Sequence, residues 1–382
     1  MSGTHALLSA SSAVRWLNCP PSARLTQDMP DQTSEYAAEG TLAHQLGELR
    51  IRQLSGERRD ATEYAALTAN PLYKPEMERY IDDYVEFVQA ASLDYDARPY
   101  MAIEQRLDLR RWVPEGFGTG DCILIGGGTL HIIDLKYGKG VAVQAEDNPQ
   151  LKLYALGALD AYRDTGLYDV DRVRMSIVQP RLSGVSTIEM TADELYAWGE
   201  DIAPIALAAY RGEGEYREGD WCRFCRAKAQ CRARAEAMTA LESSAVTAPG
   251  LLAPDELARV LEVGERLAKW LDDARAWALD ACLRGENIPG YKAVEGRSIR
   301  QFTDQRAAFA AALAGGVDET MLYKREPVTL AALEKTLGKQ TFDALLGQYV
   351  VMPPGKPTLA RDTDRRPALI DRPSAAEDFA AQ

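Results

Sequence analysis

The stretch GTGDCILIGGGTLHIIDLK, residues 118–136, decides the fold class of this chain. Two apolar runs flank three consecutive glycines, which is the pattern of a β-hairpin. Asp134 and Lys136 stand two positions apart at the end of the second run, so their side chains emerge on one face of the strand. Asp121 begins the first run. We therefore expect Asp121 beside Asp134 on the neighbouring strand.

Helical and strand patterns alternate around this hairpin. Apolar residues at helical spacing predict helices over residues 9–17, 34–54, 75–93, 148–161, 192–210 and 255–283. Runs typical of strands cover residues 100–109, 121–125, 130–135, 173–178 and 185–190. The order of helices, three strands, helix, two strands and helix predicts an α/β fold with a mixed sheet and helices packed on it.

Length and charge narrow the class of protein. The 382 residues suggest two or three units, and the formal charge is −13. This acidity argues against a protein that coats nucleic acid through bulk charge, but not against an enzyme that cuts it. The chain has no apolar run of about 18–20 residues and no secretion signal, so we expect a cytoplasmic protein without a membrane partner. We divide it into a core, a linker, a mainly helical extension and a flexible tail, at residues 1–240, 241–254, 255–360 and 361–382.

The carboxylates of the hairpin predict a metal site. Two carboxylates on adjacent strands offer the hard oxygen ligands that Mg²⁺ or Mn²⁺ prefers. A lysine beside such an ion can position or deprotonate a water for attack on phosphate. The alternative is a solvated strand end with an ordinary ion pair. No Gly-x-x-x-x-Gly-Lys-Ser/Thr loop occurs in the sequence, so we expect no use of ATP.

Three of the six cysteines, at positions 222, 225 and 231, fall within ten residues. In a chain without a secretion signal, such a cluster favours metal or redox chemistry over disulfides. Three close thiols can hold Zn²⁺ or part of an iron–sulfur cluster, and their spacing does not separate the two. Between Arg217 and Arg234, six basic residues against two acidic ones suit contact with phosphate. Trp221 and Phe224 are expected to shield the metal site, with base stacking as the alternative.

Together these motifs resemble the RecB-like branch of the PD-(D/E)xK nuclease superfamily. In that pattern an Asp follows a Gly on one strand, an Asp/Glu-x-Lys ends the next, and a Gln-x-x-x-Tyr lies on the following helix. The matching residues here are Asp121, Asp134, Lys136, Gln150 and Tyr154. The family also places a histidine after a glycine on an earlier helix, and Gly40-Thr-Leu-Ala-His44 fits that position.

The resemblance implies a restriction-endonuclease-like sheet flanked by helices, and it assigns roles to these residues. The implied ligands of Mg²⁺ or Mn²⁺ are His44, Asp121, Asp134 and the carbonyl of Leu135. Lys136 would activate the water, while Gln150 and Tyr154 would orient Lys136 and the scissile phosphate. Glu104, on the first strand, is a secondary candidate for a place around the metal. Its alternative is an exposed strand carboxylate.

Several RecB-like nucleases, including the AddB type and a CRISPR-associated type, ligate a 4Fe–4S cluster through one N-terminal and three C-terminal cysteines. The Cys-x2-Cys-x5-Cys spacing matches theirs, and the segment SAVRWLNCP, which ends just after Cys19, resembles their N-terminal segment. The implied cluster ligands are Cys19, Cys222, Cys225 and Cys231, with Zn²⁺ as the alternative. The resemblance covers about residues 5–235. The remainder is similar to an uncharacterised family of phage-associated proteins.

The function implied is that of a metal-dependent DNA exonuclease that hydrolyses phosphodiester bonds in phage recombination or replication-linked DNA processing. Its expected partners are DNA and a single-strand-binding or annealing protein encoded nearby. One alternative is a non-catalytic DNA-binding or assembly subunit that keeps the nuclease fold. Its expected signature is loss of Lys136 or of an active-site Asp, and neither is lost. The third hypothesis is a zinc-stabilised protein of other function.

Overall fold

The structure is a computed structural model, and it divides the chain into two compact units, Met1–Val294 and Glu295–Gln382. The residues it describes are 6–30, 35–56, 61–163, 169–182, 184–239, 254–294, 303–316, 318–323, 330–346 and 349–350. The predicted linker, apart from its last residue, and the predicted tail 361–382 lie outside these ranges.

A five-stranded mixed sheet forms the centre of the first unit. Its strands lie in chain order and run β1 (Tyr100–Asp108), β2 (Phe117–Gly126), β3 (Thr129–Leu135), β4 (Arg172–Gln179) and β5 (Gly184–Thr191). Neighbouring strands are antiparallel except β3 and β4, which are parallel and are connected through a helix. The predicted α/β class, with a mixed sheet flanked by helices, is confirmed.

Helices flank the sheet and precede it in the chain. In the first unit they are α1 (Ala13–Asn18), α2 (Ser22–Leu25), α3 (Glu35–Leu54), α4 (Ala61–Thr68), α5 (Glu76–Leu93), α6 (Pro149–Arg163), α7 (Ala192–Arg211), α8 (Arg232–Thr239) and a long helix, Pro254–Leu283. The described part of the second unit contains the helices Gln305–Ala314, Glu319–Leu322, Leu330–Leu337 and Lys339–Leu346. Within the described ranges, none of the helices is long and apolar enough to cross a membrane.

Strand β3 divides its side chains between two hydrophobic clusters, because successive residues of a strand face opposite sides of the sheet. Leu130 and Ile132 belong to the cluster that includes α6 residues. Ile133 and Leu135 belong to the cluster formed with α3 and α5. This alternation places Asp134 on the side of α6, where its predicted helical partners lie.

The long helix belongs to the first unit, so the boundary between the units falls after Val294 and not before the helix. Charged side chains join it to the segment that carries the three close cysteines. Lys228 Nζ lies 2.8 Å from one oxygen of Asp273, and Arg234 Nη1 lies 3.1 Å from the other. Arg266 forms an ion pair with Glu218. These ion pairs join the long helix to the segment of the first unit that carries the three close cysteines.

Candidate functional site

The β2–β3 hairpin brings together the two aspartates predicted to be neighbours. Its register pairs Cys122 with Ile133, so Asp121 and Asp134 follow as the next opposite positions. The backbone N–H of Leu135 donates to Asp121 Oδ2 at 2.8 Å. Asp134 is only 2% exposed. A solvated strand end is therefore the wrong description of this carboxylate.

Helix α6 supplies the polar side chains that complete the arrangement around Asp134. Lys136 Nζ lies 2.7 Å from Asp134 Oδ2 and donates to Gln150 Oε1 at 3.2 Å. The amide nitrogen of Gln150 donates to Asp134 Oδ1 at 3.4 Å and to the Tyr154 hydroxyl at 3.0 Å. The structure thus brings these four residues together as the sequence predicts.

A glycine makes room for the ring of Tyr154. A Cβ atom at Gly118 would lie 2.5 Å from Tyr154 Cε1, closer than real Cβ contacts allow. Any larger residue at this position on β2 would displace the ring, and with it the hydroxyl that accepts from Gln150. Gly118 therefore helps to position the polar group on α6.

His44 and Glu104 lie on the other side of Asp121. His44 Nδ1 is 3.3 Å from Asp121 Oδ2. One ligand atom each from His44, Glu104 and Asp121 lie within 4.8 Å of one another, and within the described ranges this is the one such group of three that could hold a metal ion. Asp134 does not join it. The sequence predicts only a secondary place for Glu104 around the metal, whereas in the structure its carboxylate is a member of this group of three.

An interruption of strand pairing turns Glu104 toward the site. Ile103 pairs with Cys122 and Gln105 pairs with Gly120, while Glu104 has no partner in this ladder. Its backbone φ is +48°. A non-glycine residue in this left-handed region is strained, and such strain clusters at functional sites. The local conformation is therefore unlike that of an ordinary exposed strand carboxylate.

The charges of the site shift the pKa of its members. Burial disfavours the imidazolium of His44, but the Asp121 carboxylate outweighs it and raises the pKa of His44 to about 9. Burial also opposes ionisation of Asp121, yet the His44 charge holds the pKa of this carboxyl below its usual value. Burial, followed by the charge of Asp121, raises the pKa of Glu104 to about 7.

The Lys136–Asp134 pair is shifted by the same two influences. Burial raises the pKa of Asp134. Burial acts against the ammonium of Lys136 too, but the Asp134 and Asp121 carboxylates raise the pKa of this lysine above its usual value. Without a cation at the carboxylates, Lys136 is therefore held as an ammonium ion.

Sequence reasoning missed a second polar network at the edge of the site. Glu39, which is 7% exposed on α3, forms ion pairs with Lys74 at 3.3 Å and with Arg181 at 3.2 Å. The Arg181 guanidinium also lies 4.8 Å from the ring centre of Tyr137. This network braces the helix that carries His44 against the segments that follow β3 and β4. No spacing in the sequence connects these residues.

The sequence profile of one protein family matches residues 5–367, and its description is "Protein of unknown function (DUF2800)". The chain belongs to the DUF2800 family. Among solved structures, one described as "Crystal structure of SSO0001" is similar at 13% identity, covering 58% of this chain and 96% of that one, with a TM-score of 0.25. A likeness at that TM-score carries no argument, and the family description names no activity.

In this DUF2800 chain the four cysteines predicted as cluster ligands line one small cavity, together with Arg15 and Lys228. Three of the thiols are at most 8% exposed, and Cys231 is half-buried. No three of their sulfur atoms lie within 4.8 Å of one another in this described region. Tetrahedral zinc, with Zn–S bonds of about 2.3 Å, needs thiolates closer together than that. The thiols thus converge on one place without forming a zinc-like group.

Part of the positive charge in the basic segment around these cysteines is already paired within the protein, so it is less available for contact with phosphate than the composition indicates. Lys228 and Arg234 are engaged with Asp273 on the long helix. Trp221 is half-buried and donates to the Arg217 carbonyl at 3.0 Å. Phe224, however, is 77% exposed, so the shielding role predicted for it is wrong. Its ring is left on the surface beside the exposed Arg223.

Proposed function

We propose that this chain is a metal-dependent deoxyribonuclease that degrades linear DNA from its ends. The observation that carries the proposal is the group formed by Asp121, Asp134, Lys136 and Gln150, with His44 beside it. Asp134 is buried beside the half-buried Asp121, and it is contacted by Lys136 at 2.7 Å and by Gln150 at 3.4 Å. This arrangement offers cation ligands next to a group that can handle a proton. The proposed fold is restriction-endonuclease-like.

The donor set suits Mg²⁺ or Mn²⁺, because carboxylate oxygens dominate and a single imidazole is added. In the proposed site the ion is held among His44, Asp121, Asp134 and the Leu135 carbonyl. When bound, such an ion neutralises charge on a scissile phosphate and lowers the pKa of a bound water.

The side chains of this site would position the water and transfer its proton. Lys136, placed by Asp134 and Gln150, would release its own proton to solvent once the negative charges that hold it protonated are neutralised. As a neutral amine it would then orient the attacking water and accept a proton from it. Gln150 fixes Lys136 from one side, and its amide nitrogen ties this position to Tyr154. The water oxygen then bonds to phosphorus as the P–O bond to the leaving 3′ or 5′ oxygen breaks, and that oxygen takes up a proton from solvent.

We propose further that Cys19, Cys222, Cys225 and Cys231 hold a 4Fe–4S cluster, which would supply a structural link between the two ends of the core. The convergence of four thiols on one cavity supports this assignment. The spacing of the thiols leaves Zn²⁺ as the alternative, and the iron and zinc content of anaerobically purified protein separates the two.

The experiment is incubation of anaerobically purified protein with linear duplex, linear single-stranded and covalently closed circular DNA. Each substrate is tested with Mn²⁺, with Mg²⁺ and with a chelator. The proposal predicts metal-dependent loss of linear DNA and survival of closed circles. Cutting of circles would make the protein an endonuclease. DNA binding without cutting under any condition would favour a non-catalytic DNA-binding subunit.

A further inference from the structure

Among the described residues, the cavity between the four proposed cluster cysteines is lined by three basic side chains and by no acidic one. Two of the basic residues have carboxylate partners, since Arg217 lies 3.0 Å from Glu215 and Lys228 lies 2.8 Å from Asp273. The third, Arg15 on α1, is half-buried and makes no ion pair within the described part of the chain. A charge partly removed from water without a partner is unfavourable. The cavity therefore suits an anionic occupant.

The Arg15 guanidinium is held in place by only one of its nitrogens. Its Nη1 donates to the Ser22 carbonyl at 2.8 Å and to the Thr26 hydroxyl at 2.9 Å. Its Nε and Nη2 make no hydrogen bond to any of the residues that the structure describes. Cys225 and Cys19, which line the same cavity, are near enough to interact electrostatically with Arg15. The remaining N–H groups are thus available as donors to sulfur.

A buried hydroxyl at the same cavity gives a second, independent indication of an occupant. Ser22 is 2% exposed and lines the cavity, and its Oγ makes no hydrogen bond within the described ranges. A buried polar group without a partner is costly, and such groups commonly mark the place of an ion or a water. A neutral thiol is only a weak acceptor, whereas the sulfur atoms of a metal cluster accept hydrogen bonds that tune it.

We propose that Arg15 supplies the counter-charge of a metal–thiolate centre held by the four cysteines, and that Arg15 and Ser22 donate hydrogen bonds to its sulfur atoms. Four thiolates outweigh the positive charge of either a 4Fe–4S core or Zn²⁺, so the loaded centre is anionic in both cases. Arg15 and Ser22 are positioning residues, which set the stability and the reduction potential of the centre without ligating the metal. This inference rests on the metal centre of the proposed function, but not on the cleavage of DNA.

The test is a redox titration of the full chain, purified anaerobically, with the iron and zinc contents of each sample measured. Arg15→Gln should lower the midpoint potential, because the reduced centre carries more negative charge and loses a nearby cation. We expect the ratio of reduced to oxidised centre at a fixed potential to fall about tenfold or more, which is about 59 mV for a one-electron couple. Arg15→Lys keeps the charge and should stay close to the wild-type potential.

The matched control is Arg24→Gln. Arg24 likewise donates to a backbone carbonyl, that of Tyr210, but it does not line the cavity, so its loss should leave the potential unchanged. Ser22→Ala removes a single oxygen atom and leaves the four thiols, so this variant should keep its iron and still show a lower midpoint potential. A wild-type potential in Arg15→Gln or in Ser22→Ala would overturn the role of that residue. Equal shifts in Arg15→Gln and Arg15→Lys would show a structural effect instead.

The metal contents separate this inference from the proposed function. If the wild type holds zinc and no iron, the readout becomes zinc release to a chelator, and Arg15→Gln should weaken zinc retention by about 10–100-fold. Neither metal in the wild type would reject the metal centre and this inference with it. DNA cleavage by a loaded protein whose Arg15 and Ser22 variants keep the wild-type potential would leave the nuclease intact and reject only the roles of these two residues.

Discussion

Replacing Lys136 with methionine tests the proposed chemistry most informatively, because methionine keeps most of the packing and removes the amine. A positioned acid–base group contributes about 10²–10⁴-fold in rate. At about 1.36 kcal/mol per factor of ten, cleavage should lose about 3–5 kcal/mol of transition-state stabilisation. DNA affinity should change little, because one cation among several phosphate contacts is a small contribution.

The same substitution should also lower stability, because it leaves the 2%-exposed Asp134 without its nearest charge. Breaking a fully buried pair costs about 3–5 kcal/mol, but Lys136 is 25% exposed and Asp134 can take up a proton. We therefore expect about 1–3 kcal/mol, which adding Asp134→Asn should partly restore without restoring cleavage.

Single-turnover cleavage of end-labelled linear duplex, with thermal melting in parallel, measures both effects. Lys139→Met is the matched control, since Lys139 is exposed three residues away. Wild-type cleavage rates in Lys136→Met, or equal losses in the two methionine variants, would refute the proposed role of Lys136.

Three further predictions concern the cysteines, pH and DNA contact. Cys225→Ala should lose iron and about 2–5 kcal/mol of stability, because the cluster links segments about 200 residues apart, whereas Cys282→Ala should lose neither. In metal-free protein, the pKa of His44 is about 9 in the folded state, above its ordinary 6.5. Its contribution to the free energy of unfolding is therefore complete below pH 6.5 and is lost as pH rises through 9. The melting temperature should fall over that window, and less so in His44→Gln. Phe224→Ala should weaken single-stranded DNA binding by about 1–3 kcal/mol.

Different results would contradict each of these. Stoichiometric zinc and no iron in colourless, anaerobically prepared protein would reverse the cluster assignment. The same melting profile against pH in wild type and in His44→Gln would mean that Asp121 does not hold the imidazolium. Unchanged single-strand affinity in the Phe224 variant would leave that ring without a role in DNA contact.

The local part of the site was predictable from sequence, and the distant part was not. The hairpin follows from two apolar runs around glycines, and its register necessarily brings Asp121 to Asp134. The spacing from Gln150 to Tyr154 is one helical turn, which puts both on one face of α6. These relations depend on a few neighbouring residues, so the pattern alone reveals them.

The other features of the site depend on long-range packing, which no local sequence pattern indicates. The positive φ of Glu104 arises where β1 loses its pairing with β2, and no residue type at that position signals it. The ion pair between Asp273 on the long helix and Lys228 depends on the same kind of packing, and no sequence pattern indicates it.

The most direct test of the central claim compares wild type with Asp121→Asn, purified side by side. Asp121 is central to the proposed cation site, because it contacts both His44 and the Leu135 amide. The quantity measured is Mn²⁺-dependent release of acid-soluble nucleotides from linear duplex DNA. We predict release by the wild type, abolished by a chelator, and at least about a 10²-fold lower rate in Asp121→Asn. Equal release by the two proteins, or none by the wild type with Mn²⁺ or Mg²⁺, would contradict the account.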